Sequence, residues 1–223
     1  MNKKLQINFN QINLNHIDGI LLDLDDTIYS YNNCHNIALE ACYKKYNFQI
    51  EFQEFRLRYR AARNSVTSLL KPQGASRSRL FAFMLMAEEA KIKSSYILAY
   101  ELDQLYWSSF IKSMKIDIDA FVFLKNCKKI NMPICIVTDM TAHIQIRKMR
   151  HLGIEDYITH LVTSEEVGAE KPDERMFNTA LKKLGVPAER CLMIGDNFEK
   201  DVSGAIRLGI KAHLICLNSN NKR

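Results

Sequence analysis

The chain has 223 residues, with 31 Lys and Arg against 25 Asp and Glu, a formal net charge of +6. At 47 % hydrophobic and 25 % charged residues, with 8 Gly and 4 Pro, the composition is that of an ordinary globular protein and excludes collagen-like, low-complexity and disordered classes. No run approaches the ~20 apolar residues of a membrane span and residues 1–16 hold no apolar block of signal-peptide length, so a cytoplasmic location and no membrane partner are expected.

The first apolar run, Gly19 to Leu24, reads as a strand buried on both faces. Residues 31–115 then read as helix throughout. Phe52, Phe55, Tyr59, Ala62, Val66 and Leu69 fall on one helical stripe that Pro72-Gln73-Gly74 ends. Ser76 is placed to cap a helix reaching about Ala90, and Ser94 or Ser95 one reaching about Met114. Asp117 or Asp119 starts the helix that leads back to strands. From there strand and helix alternate: Pro133 to Thr138, Thr141 to Leu152, His160 to Thr163, Arg175 to Leu184 behind an Asp173 cap, Cys191 to Gly195, Lys200 to Leu208, and Ala212 to Leu217. Gly153, Gly185 and Gly209 stop the three helices. This predicts a doubly wound parallel α/β sheet of Rossmann-like type, formed by residues 1–30 and 116–223, with an all-helical domain of residues 31–115 inserted after the first strand. The cysteines (Cys34, Cys42, Cys127, Cys135, Cys191 and Cys216) form no C-x-x-C pair and read as buried reduced thiols.

Four short elements lie where such a sheet gathers ligands, at the carboxyl ends of its strands. Asp23-Leu24-Asp25-Asp26-Thr27 offers two carboxylates at i and i+2. Thr138 offers a hydroxyl at the end of the next long strand. Lys171 precedes Pro172, and Gly195-Asp196 is followed by Asp201. An Asp after a strand is commonly a helix cap and a Lys-Pro commonly a surface loop. All four in this order point instead to a cation and a phosphate handled at one place.

These elements resemble the four motifs of the haloacid dehalogenase (HAD) superfamily, and the helical insertion resembles its α-helical cap. The resemblance implies a hydrolase acting on phosphoric monoesters. Asp23 would be the nucleophile that forms an aspartyl-phosphate, and Asp25 the general acid and then base. Mg²⁺ would be held by Asp23, the Asp25 backbone carbonyl and Asp196, with Asp201 as an outer ligand or orienting Lys171. Lys171 and Thr138 would contact the transferring phosphoryl group, and Thr27 would fix the loop. Asp139, where relatives carry Asn or Gly, is expected to serve the site by its backbone N–H. The acid at Asp25 speaks against a haloalkanoate dehalogenase, and Asp26-Thr27 against the Gly-Val of phosphomutases, although phosphoryl transfer or a non-catalytic binding protein of the same fold are the alternatives.

The charge is local. Residues 51–100 hold nine Lys or Arg and four acids, and no acid lies between Arg56 and Arg79. Arg60 and Arg77 are therefore candidates for gripping a carboxylate or second phosphate of a small phosphorylated metabolite. The aromatics beside them lie on the apolar stripe, so no nucleic-acid partner is expected. The sequence leaves the oligomeric state open.

Overall fold

The computed structural model describes residues 6–46 and 49–217. The ends of the expected core, residues 1–5 and 218–223, lie outside them. In chain order the elements are β1 (Gln6–Ile7), β2 (Gly19–Leu22), α1 (Tyr31–Tyr46), α2 (Phe52–Leu70), α3 (Arg79–Glu89) and α4 (Ser95–Ser113), then α5 (Ile118–Lys129), β3 (Ile134–Thr138), α6 (Ala142–Leu152), β4 (His160–Thr163), α7 (Ser164–Val167), α8 (Glu174–Leu184), β5 (Cys191–Gly195), α9 (Gly204–Ile206) and β6 (Lys211–Ile215). Packing divides the chain into two compact units, Met1–Ser30 with Lys115–Arg223, and Tyr31–Met114. No helix among the described residues is long and apolar enough to cross a membrane.

The first unit is a six-stranded parallel sheet in the order β1-β6-β5-β2-β3-β4. Its central strands are buried along their whole length because both faces are covered. Leu21, Cys135, Val137 and Met193 point to a cluster with Met176, Phe177 and Ala180 of α8. Ile20, Leu22, Ile136 and Ile194, one step out of phase, are equally buried on the other face. Register then brings three strand ends together. Leu22 pairs with Ile136 of β3 and with Ile194 of β5, so the residues just beyond Leu22 lie level with Val137 and Gly195. The ligand-gathering edge of the sheet is therefore built from β2, β3 and β5.

The second unit holds α1 to α4. Phe55, Tyr59, Ala62 and Val66 of α2 are buried as the stripe requires. Leu69, assigned to the same stripe, is 81 % exposed, because it lies in the last turn of a helix that ends at Leu70. Phe52 is only half-buried. Ser76 does not cap α3. It sits buried in a 3-10 turn, Gly74–Arg77, and the cap is Ser78, whose Oγ accepts from Phe81 N at 3.2 Å. The Pro-Gly break runs on through that turn and delays the helix.

Other local readings agree with their physical signals. Asp117 caps α5 at Ala120 N, 3.0 Å, and Asp173 caps α8 at Arg175 N, 3.0 Å. Gly153, Gly185 and Gly209 all have positive φ. Ser94 stands before α4 but makes no side-chain cap bond. The helix expected over Lys200 to Leu208 is instead a π-helical turn, Phe198–Ser203, followed by α9. Such turns recur at functional sites. Five cysteines are buried thiols outside any disulfide, as expected, whereas Cys216 is exposed just beyond β6.

Candidate active site

Asp23 follows the last residue of β2, and its N–H donates to Ile194 O at 2.9 Å, which extends the β2–β5 ladder by one step and fixes the side chain at the sheet edge. Both carboxylate oxygens are engaged. Lys171 Nζ donates to Oδ1 at 2.6 Å, and Thr27 Oγ1 donates to Oδ2 at 2.8 Å. The same Lys171 ammonium lies 2.7 Å from Asp201 Oδ1. Asp201 Oδ2 accepts from Asn197 N at 3.0 Å.

The backbone makes room for this arrangement at Gly195. A Cβ there would stand 2.3 Å from Asp201 Oδ2, a distance no side chain tolerates. The glycine at the end of β5 is therefore what lets Asp201 reach the site from the π-helical turn.

Asp23, Asp196 and Asp201 offer carboxylate oxygens all within 4.8 Å of one another. Burial, together with the neighbouring charges of Asp201 and Asp196, pushes the Asp23 carboxyl up to about 8 despite Lys171. Asp196 is pushed up to about 6 by burial and by Asp201 and Asp26. Lys171 is raised, because its flanking carboxylates outweigh its own burial. Three acids facing one ammonium leave an excess of negative charge. All-oxygen donors of this kind suit a hard divalent cation.

Asp25 belongs to a second network. Its carboxylate accepts from Lys148 Nζ at 2.7 and 3.0 Å, from Gln145 Nε2 at 3.5 Å, and from the Tyr29 hydroxyl. Burial would raise its pKa, but Lys148 and the bonds from Tyr29 and Gln145 prevail and hold it below the usual carboxylate range. Gln145 Nε2 also donates to Thr138 Oγ1. With that lone pair occupied, the Thr138 hydroxyl keeps its proton for another acceptor.

Asp139 is held by its side chain. Its carboxylate is occupied: Oδ1 accepts from Lys171 N at 2.8 Å and Oδ2 from Lys200 Nζ at 2.6 Å. It ties the Lys171 loop and the π-helical turn to the end of β3, so its acid side chain has a structural task. Gln145 and Lys148 were not among the candidate residues. Their signal was polar residues on the buried stripe of α6, beside Ile144 and Met149, where an amphipathic helix should be apolar. Arg60 and Arg77 lie in the helical unit. Arg60 is exposed on α2. Arg77 is half-buried in the 3-10 turn, where its carbonyl accepts from Arg79 Nη1 at 2.6 Å.

A doubly wound parallel sheet that gathers ionisable side chains at the carboxyl ends of its strands is a common setting for an enzyme site. The family model for haloacid dehalogenase-like hydrolases matches residues 17–209, and the chain belongs to that family. It is 33 % identical to ribulose-1,5-bisphosphate 5-phosphatase of Halopiger xanaduensis, over 88 % of this chain and 83 % of that protein. It is 27 % identical to glyceraldehyde 3-phosphate phosphatase of Methanocaldococcus jannaschii, over 87 % and 82 % of the two chains. It is 28 % identical to a pyrimidine 5'-nucleotidase of Escherichia coli, over 86 % and 83 %. A HAD hydrolase from Bacillus subtilis, crystallised with magnesium, has the same fold, with a TM-score of 0.69 at 20 % identity over 88 % of this chain and 87 % of the other.

Removing Lys148 should leave Asp25 partly buried without its counter-charge. Because the Asp25 side chain retains 27 % exposure, Lys148→Met is expected to cost roughly 2–3 kcal/mol, below the 3–5 of a fully buried pair. Adding Asp25→Asn should recover most of it. Urea unfolding of both variants measures this, and an additive double mutant would show that the pair is not coupled.

Proposed function

We propose that the protein is a Mg²⁺-dependent phosphomonoesterase that hydrolyses a small anionic phosphorylated metabolite through an aspartyl-phosphate on Asp23. The observation that carries this reading is Asp23 itself, paired with Lys171 and Thr27 at the end of the central strand, with Asp196 and Asp201 beside it. The curated relatives are phosphatases of different small phosphate esters. They support the reaction and leave the individual substrate to be measured.

Asp23 is the nucleophile. A carboxylate and a phosphate dianion repel each other, so the attack needs fixed positive charge at the site. Lys171 supplies one such charge 2.6 Å from Asp23 Oδ1. Asp23, Asp196 and the Asp25 backbone carbonyl would hold Mg²⁺, with Asp201 behind them, and the ion would supply Lewis-acid neutralisation of the phosphoryl oxygens. Thr138 donates its free hydroxyl proton to one of those oxygens. Asp139 keeps Lys171 in place.

Asp25 handles the proton. Held as a carboxylate by Lys148, it is the base that takes a proton from the attacking water when the aspartyl-phosphate is hydrolysed. In the first half-reaction it protonates the leaving oxygen. The proton for that step is taken up when the negative phosphate group arrives, since a like charge favours the neutral carboxyl. Splitting the reaction in this way turns one slow displacement into two easier ones.

The purified protein should hydrolyse p-nitrophenyl phosphate with Mg²⁺ and lose this in EDTA. Asp23→Asn should lower kcat by about 10³-fold or more, as removal of a nucleophile does. Robust hydrolysis in EDTA, or by the variant, would contradict the mechanism.

The raised Asp23 and Asp196 set a pH signature. An acid whose folded pKa stands above its unfolded value binds more protons folded than unfolded. Without a cation, this pair therefore makes stability fall as pH rises from about 4 towards 8. Mg²⁺ needs the deprotonated ligands, so it should raise Tm more near pH ~8 than near pH ~5. Equal shifts by thermal melting at both pH values would count against metal binding at these acids.

A further inference from the structure

Within the helical unit, Arg79 is 5 % exposed at the start of α3. Its guanidinium lies over three aromatic rings, with centroids 5.3 Å away for Trp107, 5.7 Å for Tyr106 and 6.0 Å for Tyr31. Its polar contacts are the Arg77 carbonyl and the Tyr31 and Tyr106 hydroxyls. Arg63 of α2 is half-buried beside it and donates to the Ser76 carbonyl at 3.0 Å and the Ser78 carbonyl at 3.5 Å. Among the described residues neither guanidinium has an ion-pair partner, although buried arginines are ordinarily paired.

Two buried polar atoms of this cluster have no hydrogen-bond partner: Arg79 Nε and the Tyr59 hydroxyl. Tyr59 is 3 % exposed and its ring stacks 6.4 Å from that of Tyr106. Both orphaned groups can donate, and leaving a buried donor unmade is costly. The field around them is cationic. His35, whose ring lies 5.8 Å from Tyr59 and whose Nδ1 pairs with Tyr106 Oη at 2.7 Å, is pushed down to about 4 by burial and then by Arg79, Arg63, Arg56 and Arg60. Burial and Arg79 likewise lower Arg63, to about 10. Ring faces solvate part of the Arg79 charge, but neither they nor the carbonyls accept from Nε or Tyr59.

We propose that the helical unit binds an oxyanion, a phosphate or carboxylate group, at Arg63, Arg79 and Tyr59. An oxyanion supplies what the cluster lacks: negative charge for two guanidinium forks and acceptors for the two orphaned donors. The sequence pointed to the arginines of this basic segment for such a group, Arg60 and Arg77 foremost, with Arg56, Arg63 and Arg79 beside them. The structure assigns the task to the more buried Arg63 and Arg79, which α2 and α3 bring to one aromatic cluster.

Trp107 is the sole tryptophan of the chain and lies under Arg79, so its fluorescence reports the site without reference to catalysis. With the full chain in EDTA at constant ionic strength, inorganic phosphate should change Trp107 emission saturably, and chloride should not. Arg63→Gln should weaken that response about tenfold or more, as loss of a charge-assisted contact predicts. Tyr59→Phe, which retains the ring packing, should weaken it as well. No saturable response, an equal response to chloride, or an unchanged response in both variants would overturn the proposal.

A second arm identifies the source of the anion and rests on the phosphatase reading. If the oxyanion is part of the metabolite, Arg63→Gln raises KM for a sugar bisphosphate by a larger factor than KM for p-nitrophenyl phosphate. If it is a free ion, both KM values stay put while the fluorescence response is lost. Failure of p-nitrophenyl phosphate hydrolysis in the wild type would contradict the enzyme reading and leave the fluorescence arm standing.

Discussion

Lys171 Nζ lies 2.6 Å from Asp23 Oδ1 and 2.7 Å from Asp201 Oδ1 while remaining almost wholly buried. The construction of the sheet edge follows from keeping that ammonium there. Desolvating such charges costs several kcal/mol per ion and is recovered only with close geometry and further hydrogen bonds. The chain provides them at long range. Asp139 fixes the Lys171 backbone, Gly195 leaves the space that Asp201 occupies, and Thr27 holds the second oxygen of Asp23. Even so, three acids confront one lysine, and burial together with that imbalance raises Asp23 and Asp196. Such a set of oxygen donors suits a hard divalent cation.

Two carboxylates separated by one residue are given opposite characters by their partners. Asp23 sits among acids and is raised. Asp25 faces Lys148, Tyr29 and Gln145 and is lowered. Differential environments of this kind are how paired carboxyl groups take different roles in one reaction. Here the difference comes from α6, because Gln145 and Lys148 lie three residues apart and so project from one face of it. Gln145 also links Asp25 to Thr138, so the Asp25 carboxylate and the hydroxyl at the end of β3 are held by one side chain.

Much of this was legible in the sequence. β2, β3 and β5 were readable because strands buried on both faces are continuous apolar runs, and their carboxyl ends locate Asp23, Thr138 and Asp196 without knowledge of any distance. Capping residues such as Asp117 and Asp173 were readable because a cap is a local event. What escaped was long-range or too short. β1 has two residues, too few for a periodic signal. The partners of Asp139 lie 32 and 61 residues away, so its acid looked anomalous in isolation. Gln145 and Lys148 were overlooked because an amphipathic reading counts the apolar members of a face and passes over the polar ones. Among the arginines, burial rather than spacing set Arg63 and Arg79 apart from Arg60, and burial is a tertiary property.

The proposed function requires that Asp23 carry the phosphoryl group. It is tested most directly by stopping the enzyme during turnover of p-nitrophenyl phosphate with Mg²⁺, in acid that preserves acyl phosphates, and mapping the adduct by peptide mass spectrometry. A phosphoryl group on the peptide bearing Asp23, absent from Asp23→Asn, is the result the account predicts. Active turnover with the adduct on another residue, or with no adduct under conditions that accumulate one, would contradict it.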